Sequence, residues 1–172
     1  ITVATGAPVA EGSVEVEPND RQPNAIDFFQ NLSGRFEDGD NDRFVFELSE
    51  DEAGMKFTIE LRAEPGSRPE LCLNRDSIGL SECHRAAGDG VASFADVVLP
   101  PGRYEMNLNH RTDPAVDWAL TWTEQGEARP GEEAELNNVQ RMATQLHERG
   151  FGRGRFVGRE TDWWRFSVDG EP

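Results

Sequence analysis

The stretch "RFVFELS" (residues 43–49) places Phe44, Phe46 and Leu48 on one side of an extended chain and the charged Arg43 and Glu47 on the other. Successive side chains of a strand point to opposite faces, so this alternation reads as a half-buried β-strand. The pattern recurs downstream. "MKFTIELR" (55–62) alternates through Met55, Phe57, Ile59 and Leu61, and "ELCLN" (70–74) sets Leu71 and Leu73 against Cys72. "RYEMNLN" (103–109) alternates through Tyr104, Met106 and Leu108, and "VDWALTWT" (116–123) through Val116, Trp118, Leu120 and Trp122. "VASFADVVL" (91–99) is a longer apolar run. The segments between them, "EDEAG", "AEPGSRP", "AAGDG", "PPGR" and "RTDP", carry turn chemistry. Short strands at this spacing predict an all-β chain folded as an antiparallel β-sandwich or jelly roll.

The chain has 172 residues, enough for one good-sized domain or one domain plus a fragment. Hydrophobic residues make up 36% of it, and with the 17 glycines added a core can form. The net charge is -16, from 33 acidic and 17 basic residues. Such a surface excludes nucleic acid, whose phosphates need Lys and Arg, and disfavours an anionic membrane. It favours hard cations such as calcium, and it equally suits a surface adapted for solubility or salt. Membrane insertion is not expected, because no stretch approaches the roughly 20 apolar residues of a span. The opening "ITVATGAPVAEGSVEVEPND" reads as a mature N-terminus or linker rather than a signal peptide.

Cys72 and Cys83 sit in "ELCLNRDSIGLSECH". An extended run, a turn at Asp76–Gly79 and a return run bring them together, and the preferred reading is a disulfide in an oxidising compartment. The alternative is two unpaired, half-buried thiols. A zinc pair fits less well, because the spacing is not Cys-x-x-Cys.

The chain divides into a linker (1–12), a sandwich (13–124), a charged Pro/Gly linker (125–132) and a further segment (133–172). Within the first part, "AIDFFQNL" is an apolar patch that reads as a short helical turn or an edge segment packed on the core. In the last part, Val139, Met142, Ala143 and Leu146 have helical spacing, predicting a short helix over 138–149 that ends at Gly150. "DWWRFSV" (162–168) reads as a strand.

The start of the last segment repeats the start of the sandwich. Glu15, Glu17, Asn19 and Asp20 align with Glu133, Glu135, Asn137 and Asn138. Asp42, Phe44 and Phe46 align with Asp162, Trp164 and Phe166. An internal repeat of this kind signals a duplicated unit.

The order Glu-x-Glu-Pro-Asn-Asp, then Gly-x-Phe, then "DNDRFVF", then "LPPGRYEMNL" resembles the bacterial pre-peptidase C-terminal domain, a family related to the collagen-binding domains of clostridial collagenases. The resemblance covers about 13–123 as one complete copy, with 130–168 as the start of a second. It implies a β-sandwich attached to a secreted or surface bacterial protein, with calcium held where the acidic opening folds against the sheet. By position the implied metal ligands are Glu15, Glu17, Asn19, Asp20, Asp40 and Asp42. The residue types agree, since calcium takes about six to eight oxygens from carboxylates, amides and carbonyls. Several carboxylates brought together repel unless a cation neutralises them. The plainer reading is that Asn19 and Asp20 cap turns and that Asp40 and Asp42 solvate a loop.

Nothing in the sequence marks a catalyst. His84, His110 and His147 stand apart, with no His-Glu-x-x-His or Gly-x-Ser-x-Gly. "GFGRGRF" (150–156) follows the expected helix rather than a strand, so it is a poor phosphate loop. Trp118 and Trp122 alternate with core residues. Trp163 faces away from Trp164 and is the one aromatic nominated to face a ligand. Tyr104 joins it only through the resemblance, since tyrosines contact fibrous ligands in the collagen-binding relatives. The expected function is a non-catalytic, calcium-binding accessory module, secreted, periplasmic or on the cell surface, serving other domains of a larger chain. It would bind or position that chain on a polysaccharide or fibrous protein. The alternative is a structural stalk or assembly domain with no ligand of its own.

Overall fold

The alternating runs all become strands. The structure, a computed structural model, describes residues 13–110, 115–154 and 161–168. The expected linker at 1–12 lies outside the described residues. Two short strands open the fold, β1 (Ser13–Val14) and β2 (Asn24–Ala25). They are followed by β3 (Leu32–Phe36), β4 (Asn41–Leu48), β5 (Met55–Ala63) and β6 (Pro69–Arg75). Next come β7 (Leu80–Arg85), β8 (Val91–Val97), β9 (Gly102–His110) and β10 (Val116–Glu127). One five-stranded sheet has the order β1-β3-β10-β5-β8, and the other has the order β2-β4-β9-β6-β7.

The two sheets bury their alternating faces against each other. Phe44, Phe46 and Leu48 of β4 meet Phe57, Ile59 and Leu61 of β5, with Met106 and Leu108 of β9 and Leu120 of β10, in one apolar cluster. "AIDFFQNL" supplies the last residue of the edge strand β2 and then a turn, in which Gln30 N–H donates to Asp27 O at 3.1 Å. That turn aims Phe28 inward, where its ring lies 5.5 Å from Trp122 and 5.4 Å from Phe57.

The sheets are mixed rather than purely antiparallel. β1 pairs with β3 in parallel, and β2 with β4 in parallel. A parallel pair needs a long crossover, and residues 15–31 supply it by passing from one sheet edge to the other. The crossover carries Glu15, Glu17 and Asn19 over the start of β4.

The hairpin of β6 and β7 turns through a 3₁₀ segment, Asp76–Ile78, and Gly79 at φ 75°. Cys72 and Cys83 are directly paired across it and joined by a disulfide.

Beyond the sandwich the structure departs from expectation in three places. The strand expected over 162–168 shortens to Trp164–Arg165, leaving Phe166 and Val168 exposed. β10 continues past a bulge to Glu127, pairing with Met55, so the strand outruns the boundary placed at 124. The helix predicted over 138–149 does not form. Gln140–Met142 is a single 3₁₀ turn, and Thr144–Gln145 becomes β11, parallel to β12 (Trp164–Arg165). Thr144 N–H donates to Trp163 O at 2.8 Å and Leu146 N–H to Arg165 O at 2.9 Å. So short a helix is marginal alone, and here extended pairing satisfies the same backbone groups while Met142 and Ala143 are still buried. The segment docks on the sandwich edge: Glu135 N–H donates to Asp96 O at 2.8 Å, and Leu136 is buried. No described helix is long and apolar enough to cross a membrane.

Candidate metal centre

The alternation that makes β4 a core strand also points its second residue, Asp42, inward. Asp42 pairs with Leu108 of β9 and is 0% exposed. Both its carboxylate oxygens are buried without a hydrogen-bond donor.

The crossover places its own acids on top of this carboxylate. Glu15 is fixed as β1 ends, its N–H donating to Ser33 O at 3.0 Å. Its Oε1 accepts the Arg35 N–H at 2.6 Å, while Oε2 is buried and unpaired. Glu15 lies over Gly34, where a Cβ would sit 2.5 Å from the Trp118 ring and closer still to the Glu15 carboxylate. Only glycine leaves that space. Glu17 accepts the Asn19 N–H at 3.0 Å. One oxygen each of Glu15, Glu17 and Asp42 lies within 4.8 Å of the others. Asn19 is 0% exposed, and neither polar atom of its side chain has a partner.

Asp20 and Asp40 flank this group. Asp20 Oδ1 accepts the Asn41 N–H at 3.1 Å, which ties the crossover to the start of β4. Asp40 Oδ2 accepts the Glu37 N–H at 3.2 Å in the preceding turn. Asp40 and Asp20 therefore act as turn and tie residues, while Glu15, Glu17, Asn19 and Asp42 converge.

The electrostatics match the geometry. Burial is the main reason the Asp42 carboxyl is pushed up to about 9, with its close contact to the Glu15 carboxyl and the charges of Glu15, Asp40 and Glu17 adding to it. Burial likewise raises Glu15 and Asp40. Without a counter-charge Asp42 holds its proton at neutral pH.

The donor set fits a hard cation. All its atoms are oxygens, carboxylate or amide, and oxygens across a calcium ion lie about 5 Å apart. Zinc or copper would want nitrogen or sulfur.

Gly34 and Trp118 are the site residues that the sequence reading missed. A glycine inside the strand "LSGRF" marks a close approach by another group, and that signal was available.

Tyr104 does not face a ligand. It is 1% exposed, its hydroxyl donates to Pro100 O at 2.6 Å, and it accepts from Arg75 Nη1 at 2.9 Å. Its inward register in β9, opposite Phe46, decides this. Trp163 is 42% exposed and its N–H donates to Asn137 O.

No protein-family model matches the chain, and no curated protein matches it. Among solved structures, the pre-peptidase C-terminal domain of a collagenase from Bacillus anthracis is 18% identical. That match covers 63% of this chain and 100% of that chain, with a TM-score of 0.49.

Proposed function

We propose that this chain is a non-catalytic, calcium-binding accessory module of a secreted or surface bacterial protein. The observation that carries the reading is Asp42, a carboxylate with no exposure and no hydrogen-bond donor, facing Glu15 and Glu17. A fold keeps such a group ionised only if something of opposite charge joins it. A dication bridging β4 to the crossover turns mutual repulsion into a clasp between the entry segment and the sheet. The disulfide fits an oxidising, extracytoplasmic compartment.

A non-catalytic role suits the placement of the histidines. His84 packs on Phe94, His110 on Phe36 and His147 on Phe151, in three separate places. The module would position a larger chain on a polysaccharide or fibrous protein, with the half-exposed Trp163 as a contact ring. A second reading, a stalk or assembly domain without a ligand of its own, is favoured by Phe166 and Val168, which are 68% and 78% exposed beside β12.

Isothermal titration with calcium, paired with melts in calcium and in chelator, tests the clasp. A stabilisation lost in Asp42→Asn is expected, and identical melts in both conditions would remove the clasp. Pull-down on insoluble polysaccharides and on collagen separates the two roles. Capture that depends on Trp163 supports the targeting module, and binding to neither supports the scaffold.

A further inference from the structure

The segment after residue 131 rebuilds the first acidic corner residue for residue. In the first unit Asn24 and Ala25 pair in parallel with Phe44 and Val45, and Ile26 N–H donates to Val45 O at 2.9 Å. In the second, Thr144 and Gln145 pair in parallel with Trp164 and Arg165, and Leu146 N–H donates to Arg165 O at 2.9 Å. Val14 lies beside Ser33, and Glu15 N–H donates to Ser33 O at 3.0 Å. Glu132 bridges Arg153, and Glu133 N–H donates to Arg153 O at 2.9 Å. Even the tie behind the crossover returns. Asn24 Nδ2 donates to Val16 O at 2.7 Å, and Thr144 Oγ1 donates to Ala134 O at 3.2 Å.

The cradle is also rebuilt. A Cβ on Gly154 would meet both carboxylate oxygens of Glu133, as one on Gly34 would meet Glu15. Asn137, in the place of Asn19, is 0% exposed, and its Oδ1 has no partner. Asn138 Oδ1 and Asp162 Oδ1 are buried and unpartnered too. Trp163 N–H donates to Asn137 O at 3.1 Å, which holds Asn137 next to Asp162. Buried amide and carboxylate oxygens without donors are costly unless something positive joins them.

We infer that Glu133, Asn137, Asn138 and Asp162 form a second, independent site for a hard divalent cation, weaker than the first. The choice of calcium rests on the reading of the first cluster, whereas the existence of the second rests on its own residues. The second is weaker because it offers fewer carboxylates: Glu135, in the place of Glu17, accepts the Leu136 N–H at 3.3 Å and is not in the set, and ligand charge sets the affinity of calcium sites. Glu135 and Leu136, between Glu133 and Asn137, are the residues docked on the edge of β8. An ion at the second site therefore braces the segment that joins the two units.

Calcium titration of the whole chain, with terbium as a luminescent substitute, decides it. Trp118 lies beside the first site, and Trp163 and Trp164 follow Asp162 at the second, so bound terbium should be sensitised at both. Two ions per chain are expected. Asp42→Asn should abolish the tighter step and Asp162→Asn the weaker one. Asn138→Asp should tighten the weaker step about tenfold by adding a carboxylate. This variant decides the matter if Asp162→Asn fails to fold. One ion, lost in Asp42→Asn and unaffected by Asp162→Asn and Asn138→Asp, overturns the second site and leaves the first. One ion lost only in Asp162→Asn does the reverse, and no ion at all overturns both.

Discussion

The two ends of β4 face the same core and solve opposite problems. At Phe46 the ring packs 5.4 Å from Tyr104 and 5.4 Å from Trp122. Its polar neighbours are satisfied: Trp122 Nε1–H donates to Gln30 O at 3.0 Å, and the Tyr104 hydroxyl has two partners. At Asp42, two turns of the same alternation earlier, the inward position holds a carboxylate with no donor. The first end is held by protein alone. The second needs either a proton or a cation on its carboxylates, so the sandwich core and the acidic corner should respond to different perturbations.

The largest expected effect lies at the self-sufficient end. Phe46→Ala removes a fully enclosed ring and should cost about 3–5 kcal/mol, by the same amount in calcium and in chelator. Chemical denaturation in both conditions measures it. A loss that depended strongly on calcium would mean that the two ends are one cooperative site, and the comparison would fail.

The next effect belongs to the acidic end and is a matter of sign. The Asp42 carboxyl rises from 3.8 to about 9, so the folded chain binds a proton that the unfolded chain has released. Its contribution to stability is complete below about pH 4 and is lost as pH rises toward 9. In chelator, the melting temperature should therefore fall between pH 5 and pH 8. Calcium bound at the proposed site would compete with that proton, so its stabilisation should grow over the same range. At a hundredfold excess over Kd it reaches about 2.7 kcal/mol, or roughly 5–10 °C for a chain of this size. Scanning fluorimetry across pH reads both slopes, and parallel curves with and without calcium would sink the idea.

The contrast between the two ends also explains what was legible in the sequence. Period-two alternation located the long strands, because half-buried strands must alternate, and the turn at Asp76–Gly79 located the disulfide. The parallel edge strands β1 and β2 were illegible: two residues carry no period, and their place depends on where the crossover lands. The 138–149 segment misled because Val139, Met142, Ala143 and Leu146 have helical spacing, while pairing with Trp164 and Arg165, remote in sequence, decides its form. At the site, composition flagged the acids, but only the fold separates Glu15, Glu17 and Asp42, which converge, from Asp20 and Asp40, which hold backbone. Tyr104 followed from its strand register rather than from the resemblance.

Asp42→Asn sharpens the comparison by reversing a usual trend. It removes the group that must take up a proton on folding, so without calcium at neutral pH the variant should be more stable than the parent, by about 1–3 kcal/mol. With calcium the parent should overtake it. Crossing stability curves in a calcium titration are the signature. A variant less stable than the parent in chelator would show that the carboxylate is satisfied without an ion.

Tyr104→Phe is the smallest test and bears on the satisfied end alone. The hydroxyl donates to Pro100 O and accepts from Arg75, whose guanidinium carbon lies 5.0 Å from the ring centroid. Removing it leaves Pro100 O with the Arg75 hydrogen bond at 3.1 Å, so one carbonyl keeps a partner. The expected loss is about 1 kcal/mol, the ordinary net worth of a buried hydrogen bond, and it should be equal in calcium and chelator. Because the ring is enclosed, the substitution should also leave retention on any fibrous or polysaccharide target unchanged. Weakened capture with unaltered melting would mean that Tyr104 reaches the surface in the bound state and that this end of the core opens to a partner.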